Sequence, residues 1–85
     1  MNLSVLYFAS LREALGVERE NIAVPADVST VFQLRAWLRA RGGAWAQALA
    51  EGRNVRAALD QIMLHGDAPL RDGVEVAFFP PVTGG

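Results

Sequence analysis

The chain has 85 residues, 52% hydrophobic and 20% charged, with a formal net charge of -1 and no cysteine, which fits one small domain with a single core and no disulfide staple. A pI near 5.7 argues against a general nucleic-acid binder, which carries a basic excess, and a lone histidine, His65, without cysteine leaves no structural zinc site. The start of the chain has no charged leader and no apolar run near the roughly 20 residues that span a bilayer, so cytoplasm is the expected compartment.

Residues 2–9, NLSVLYFA, are rich in β-branched and aromatic types. Leu3, Val5 and Tyr7 alternate with Ser4, Leu6 and Phe8, and apolar character on both faces predicts a central strand. SLREALG (residues 10–16) predicts a short helical turn capped by Ser10 and stopped by Gly16. ERENIAV (18–24), more charged and followed by Pro25, reads as an edge strand returning from the first.

The clearest helix starts at Thr30, because Gln33 three residues later completes a capping box. Val31, Leu34 and Leu38 form its apolar stripe, Arg35 and Arg39 lie on another face, and Phe32 and Trp37 fall at the stripe's margins. Arg39 and Arg41 complement the helix dipole at its end, and Gly42 is expected to stop it. AWAQALAEG (44–52) predicts a second short helix with Trp45 and Leu49 one turn apart. RAALDQIMLHG (56–66) reads as a single strand. Pro69 and Asp72-Gly73 mark a turn, after which Val74, Val76 and Phe78 alternate with Glu75, Ala77 and Phe79.

Two strands, a helix and two more strands make an α+β mixed sheet with one main helix across one face. The other face is left open. If Val74, Val76 and Phe78 face the helix, Ala77 and Phe79 lie on the open side with either Leu6 and Phe8 or their alternates. An apolar open face invites a protein partner.

Self-contained catalysis is not expected. His65 reads as a turn residue beside Gly66 and Asp67, with no triad-like Ser nearby. Asp67, Asp72 and Glu75 lack the run of alternating ligands of a calcium loop. Gly42-Gly43 lacks the frame of a phosphate loop. What remains is the ending, FFPPVTGG. Pro80 and Pro81 cannot donate backbone hydrogen bonds, so they end the strand and hold the chain extended. Fully stretched, residues 80–85 reach about 20 Å, enough to enter another protein's cleft. Gly84 and Gly85 can occupy a channel too narrow for other residues. The group they present is the Gly85 carboxylate, which becomes electrophilic once adenylylated. All eight basic residues are arginine. This has two readings: a genomic preference for arginine codons, or a carrier freed of the lysine amines that would attack its own activated end.

DGVEVAFFPPVTGG (residues 72–85), preceded by Pro69-Leu70, closely resembles the end of the ubiquitin-like sulfur carriers that serve as small subunits of molybdopterin synthases. The resemblance runs more weakly through LYFASLREALG (6–16), TVFQLRAWL (30–38) and WAQAL (45–49). One departure is Asp60, where related strands often carry Asn. The resemblance implies a β-grasp fold over residues 1–79 and a flexible Gly-Gly tail over 80–85. It implies that an E1-like adenylyltransferase, using ATP and magnesium, adenylylates Gly85, and that a sulfur donor converts the adenylate to a thiocarboxylate. The sulfur then passes to cyclic pyranopterin monophosphate in the large subunit, forming the dithiolene of molybdopterin within a heterotetramer.

On this resemblance Gly85 carries the sulfur. Gly84, Thr83, Val82, Pro81 and Pro80 form the tail, and Phe79, Ala77, Phe8 and Met63 meet the partner. The carrier itself holds no cofactor or metal, and the catalytic side chains belong to the large subunit. The competing readings are a β-grasp carrier for thiamin thiazole synthesis, a ubiquitin-like protein modifier, and a non-enzymatic interaction module whose glycines do nothing.

Overall fold

The computed structural model describes residues 1–81; the positions 82–85, with the expectations attached to Val82, Thr83, Gly84 and Gly85, lie outside the described residues. Eight elements follow one another: β1 (Asn2–Tyr7), α1 (Ala9–Leu15), β2 (Arg19–Ala23), α2 (Val31–Arg39), α3 (Gly43–Ala48), β3 (Arg56–Leu59), β4 (Ile62–Met63) and β5 (Glu75–Phe79). They build one five-stranded sheet in the order β2-β1-β5-β3-β4. β1 and β5 run parallel, and every other pair is antiparallel. The last strand therefore lies in the middle of the sheet, with neighbours on both sides.

Strand alternation decides which residues are buried. Leu3, Val5 and Tyr7 of β1 and Val76 and Phe78 of β5 pack against Val31, Leu34 and Leu38 of α2, all within the buried core. Each large side chain so buried contributes about 1.5–3 kcal/mol, and with no disulfide this packing has to hold the domain. The α2 start is fixed as the sequence predicts: the Gln33 backbone N–H donates to Thr30 Oγ1 at 3.2 Å, and Gln33 Oε1 accepts from the Thr30 N–H at 3.2 Å. A further cap was not visible in the sequence, since Asp67 Oδ1 accepts from the Phe32 N–H at 2.8 Å across 35 residues.

Several local expectations change. β1 stops at Tyr7 and α1 begins at Ala9, so Ser10 lies inside the helix rather than capping it. The cap position falls to Phe8, whose carbonyl accepts from Leu11 N–H while its own N–H donates to Phe78 O at 3.1 Å. The strand ladder runs directly into the helix and leaves no residue for a separate cap. Gly16 does end α1, in the left-handed region at φ 70. α2 closes earlier than predicted, at Ala40, and Gly42 instead caps α3, its carbonyl accepting from the Trp45 N–H at 3.1 Å. Arg39 and Arg41 turn away from the α2 end, to Leu49 O and Glu51 and to Glu20 respectively.

The largest correction concerns residues 56–66, which form a hairpin, β3 and β4, rather than one strand. Its two turn residues, Asp60 and Gln61, both have positive φ, 47 and 69, the conformation of the tightest hairpin connection. Glutamine is not a customary residue there, which hides the turn. The conformation is held from outside: the Asp60 N–H donates to Glu75 O at 2.9 Å, Asp60 Oδ1 accepts from the Glu75 N–H at 3.0 Å, and Asp60 Oδ2 pairs with Arg71.

Candidate functional site

No helix covers the face of the sheet opposite α2. The pairing register lays Leu6, Ala77, Ala58 and Met63 side by side across β1, β5, β3 and β4. The two alanines at the centre are only 8% and 9% exposed. The edges stand higher: Met63 is 48% exposed, and Phe8, just past β1, is 44% exposed. One step toward the chain's end Phe79 lies opposite Arg56. Both are half-buried.

The hairpin is what brings Met63 to this face. Read as one strand, residues 56 and 58 would point away from residue 63; the reversal at Asp60-Gln61 sets Ala58 opposite Met63, on the same side. Arg56 and Ala58, which the sequence reading did not single out, join the site through the antiparallel pairing of β3 with β5, which sets them opposite Phe79 and Ala77.

The face is graded along the strands. At the start of β5 it is polar and internally satisfied: Ser4 Oγ donates to Asn21 Oδ1 at 2.8 Å, and Arg19 pairs with Glu75 at 3.8 Å. At the end of β5 it is apolar but for Arg56, and there Pro80 and Pro81 follow Phe79, half-buried and without backbone donors. The chain thus departs from the centre of the sheet, beside the apolar rows.

Beneath the face, two polar devices fix its geometry. The Tyr7 hydroxyl donates to Glu20 Oε2 at 2.8 Å, and Arg41 grips the same carboxylate through two bonds of 3.0 Å. The Arg41 guanidinium lies 4.4 Å over the Trp45 ring, and Trp45 meets Tyr7 edge-on at 5.4 Å. Burial, then the hydrogen bond to Glu20 and its negative charge, push the Tyr7 phenol far above its ordinary value. The second device is Arg35, which donates to Leu49 O, Ala50 O and Arg53 O. It pins the loop that leads into β3 and so sets Arg56 opposite Phe79. Burial and the neighbouring Arg39 lower the Arg35 guanidinium from its ordinary value.

Among the described residues no group of three or more His, Cys, Asp or Glu could hold a metal ion. His65 is exposed in a bend and lines a cavity of about 240 Å³ with Val31, Phe32, Leu64 and Phe78. No acidic or nucleophilic side chain shares that cavity. Among the described residues no helix is long and apolar enough to cross a membrane. The described part of the molecule therefore offers a shaped surface and a directed exit for the chain, but no paired acid, base and nucleophile.

Residues 5–85 match the family model described as the ThiS family. The chain is 47% identical over 83 residues to the molybdopterin synthase sulfur carrier subunit of Escherichia coli (strain K12), covering 98% of this chain and 99% of that protein. Among solved structures it resembles the Haloferax volcanii HVO 2177 protein, with a TM-score of 0.80 and 31% identity over 100% of this chain and 87% of that one. It also resembles a chain in the protein-protein complex of subunits 1 and 2 of the molybdopterin-converting factor from Helicobacter pylori 26695, with a TM-score of 0.67 and 24% identity over 100% of both chains.

Proposed function

The chain belongs to the ThiS family and has the ubiquitin-like β-grasp fold, and from that premise we propose that it is the sulfur carrier subunit of a molybdopterin synthase. The observation that carries this reading is the joining of FFPPVTGG to the central strand, beside an apolar face. Likeness to the Escherichia coli carrier over nearly the whole of both chains supports it.

The chemistry follows from the Gly85 carboxylate. One of its oxygens attacks the α-phosphate of ATP, held with magnesium by an E1-like adenylyltransferase, and pyrophosphate leaves. A sulfur nucleophile then attacks the acyl carbon and expels AMP, giving the thiocarboxylate. In the large subunit that sulfur attacks a side-chain carbon of cyclic pyranopterin monophosphate and displaces the oxygen substituent of that carbon, and water then attacks the acyl carbon, cleaving the acyl–sulfur bond and returning the carboxylate. Two transfers build the dithiolene. The folded domain at 1–79 docks through Phe79, Ala77, Phe8 and Met63. Residues 80–85 reach the catalytic side chains, which belong to the large subunit, with Gly84 providing clearance and Gly85 the sulfur. Two carriers and two large subunits make a cytoplasmic heterotetramer.

Deleting Gly85 tests this. The shortened chain should fold and bind the large subunit, yet yield no molybdopterin when reconstituted with activating enzyme, ATP, sulfur donor and precursor. Full product from the shortened chain would sink the reading. Formation of a thiazole product in place of molybdopterin by the intact chain would favour the thiamin pathway.

A further inference from the structure

We propose that Arg56 is the specificity-determining charge of the sheet face beside the tail's exit, pairing with a carboxylate of the synthase's large subunit. This rests on the carrier reading above. Five of the eight arginines are already in ion pairs within the chain, and Arg35 is spent on three backbone carbonyls. Arg53 is exposed in the loop before β3. Arg56 alone is half-buried on the open sheet face without a carboxylate partner among the described residues. Its side-chain contact there is the Met63 sulfur at 3.4 Å, a weak acceptor.

Position makes this charge informative. Arg56 lies directly across from Phe79, the last residue of β5, so any protein that takes in the residues after Phe79 closes over the guanidinium as well. The other charges on that face are matched internally, Arg19 by Glu75 and Asp60 by Arg71. Covering an unmatched guanidinium with apolar surface is strongly unfavourable, whereas a carboxylate accepts two of its N–H groups in parallel. The complementary surface is therefore apolar over Ala77 and Ala58 and acidic at one point, beside the entrance to its tail channel. With a net charge of only -1, the chain has no broad field to steer it, and discrimination among partners falls to such local contacts.

Calorimetric titration of the full-length chain into the large subunit from the same organism tests this, with Arg56→Met and Arg56→Glu at low and high salt. Arg56→Met keeps the side chain's apolar stem, and unchanged thermal melting would verify its fold. Wild-type affinity should fall with salt. Arg56→Met should bind roughly ten- to hundredfold more weakly at low salt and lose most of that salt dependence. Arg56→Glu should bind more weakly still and recover when an interface carboxylate of the large subunit is changed to arginine. Wild-type affinity and an unchanged salt slope for Arg56→Met would overturn the inference alone. Failure of the wild-type chain to bind would overturn the carrier reading, and the inference with it.

Discussion

Replacing Tyr7 by phenylalanine probes the joint that fixes β1 beneath the open face. The ring is fully buried, and its hydroxyl donates to Glu20 at 2.8 Å. Removing the oxygen leaves Glu20 with both Arg41 bonds, so no charge is orphaned and the cost is that of one hydrogen bond to an ionised acceptor, about 1.5 kcal/mol at neutral pH. For a domain of this size that lowers Tm by about 6–12 °C. The pH dependence makes the test sharper. Tyr7 is the only tyrosine, and the chain has no lysine or cysteine, so the phenol is the one side chain whose ordinary value lies between about pH 9 and 12. The folded phenol's pKa is raised above its unfolded value near 10.0. Its contribution is therefore fully present below about pH 10 and is lost as pH rises, because the unfolded chain ionises while the folded one does not. Wild-type stability should fall by up to about 1.4 kcal/mol per pH unit above pH 10, and Tyr7→Phe should stay nearly flat. The two curves should meet near about pH 11 in urea titrations followed by circular dichroism. An equally steep alkaline loss in Tyr7→Phe, or a flat wild type, would refute the reasoning.

Phe79→Asp should weaken binding to the large subunit at least tenfold by titration, because it removes the aromatic ring and also places a carboxylate across from Arg56, engaging the cation the partner requires. Unchanged affinity would show that the open face is not the docking surface. Arg56→Lys tests whether the lysine-free composition is functional: it puts a nucleophilic amine opposite Phe79, within the about 20 Å reach of residues 80–85. Incubated with activating enzyme and ATP, it should lose one water as its amine attacks the acyl-adenylate and AMP departs, while the wild type forms no such product. Absence of self-conjugates in Arg56→Lys would leave genomic preference as the better account.

What the sequence revealed depended on how far each signal reached along the chain. The α2 start was legible because Thr30 and Gln33 act on each other three residues apart. The core face of β5 was legible because Val76 and Phe78, two residues apart, put large apolar side chains on one side of the strand, where both join the core. The β3–β4 turn was not, since its first residue, Asp60, is held in place by Glu75 and Arg71, more than ten residues away. That single error of topology also hid the meeting of Ala58 with Met63, and the place of Arg56 opposite Phe79 depends on a β3–β5 register that joins residues over twenty apart. Arg35 was read as lying on a second face of α2 and Arg41 as complementing its dipole, whereas their acceptors, Leu49 O and Glu20, come from segments that only folding brings near. The chemistry proposed for the tail rests on residue types and on the resemblance carried by FFPPVTGG, and of the tail only Pro80 and Pro81 fall among the described residues.

The most direct test of the carrier role is the intact mass of the protein isolated from its own cells, with fragment ions assigned to the end of the chain. A population with one oxygen replaced by sulfur at Gly85 is the predicted result. A uniform unmodified carboxylate, in cells that are actively making molybdopterin and under isolation conditions that preserve a synthetic thiocarboxylate standard, would contradict it.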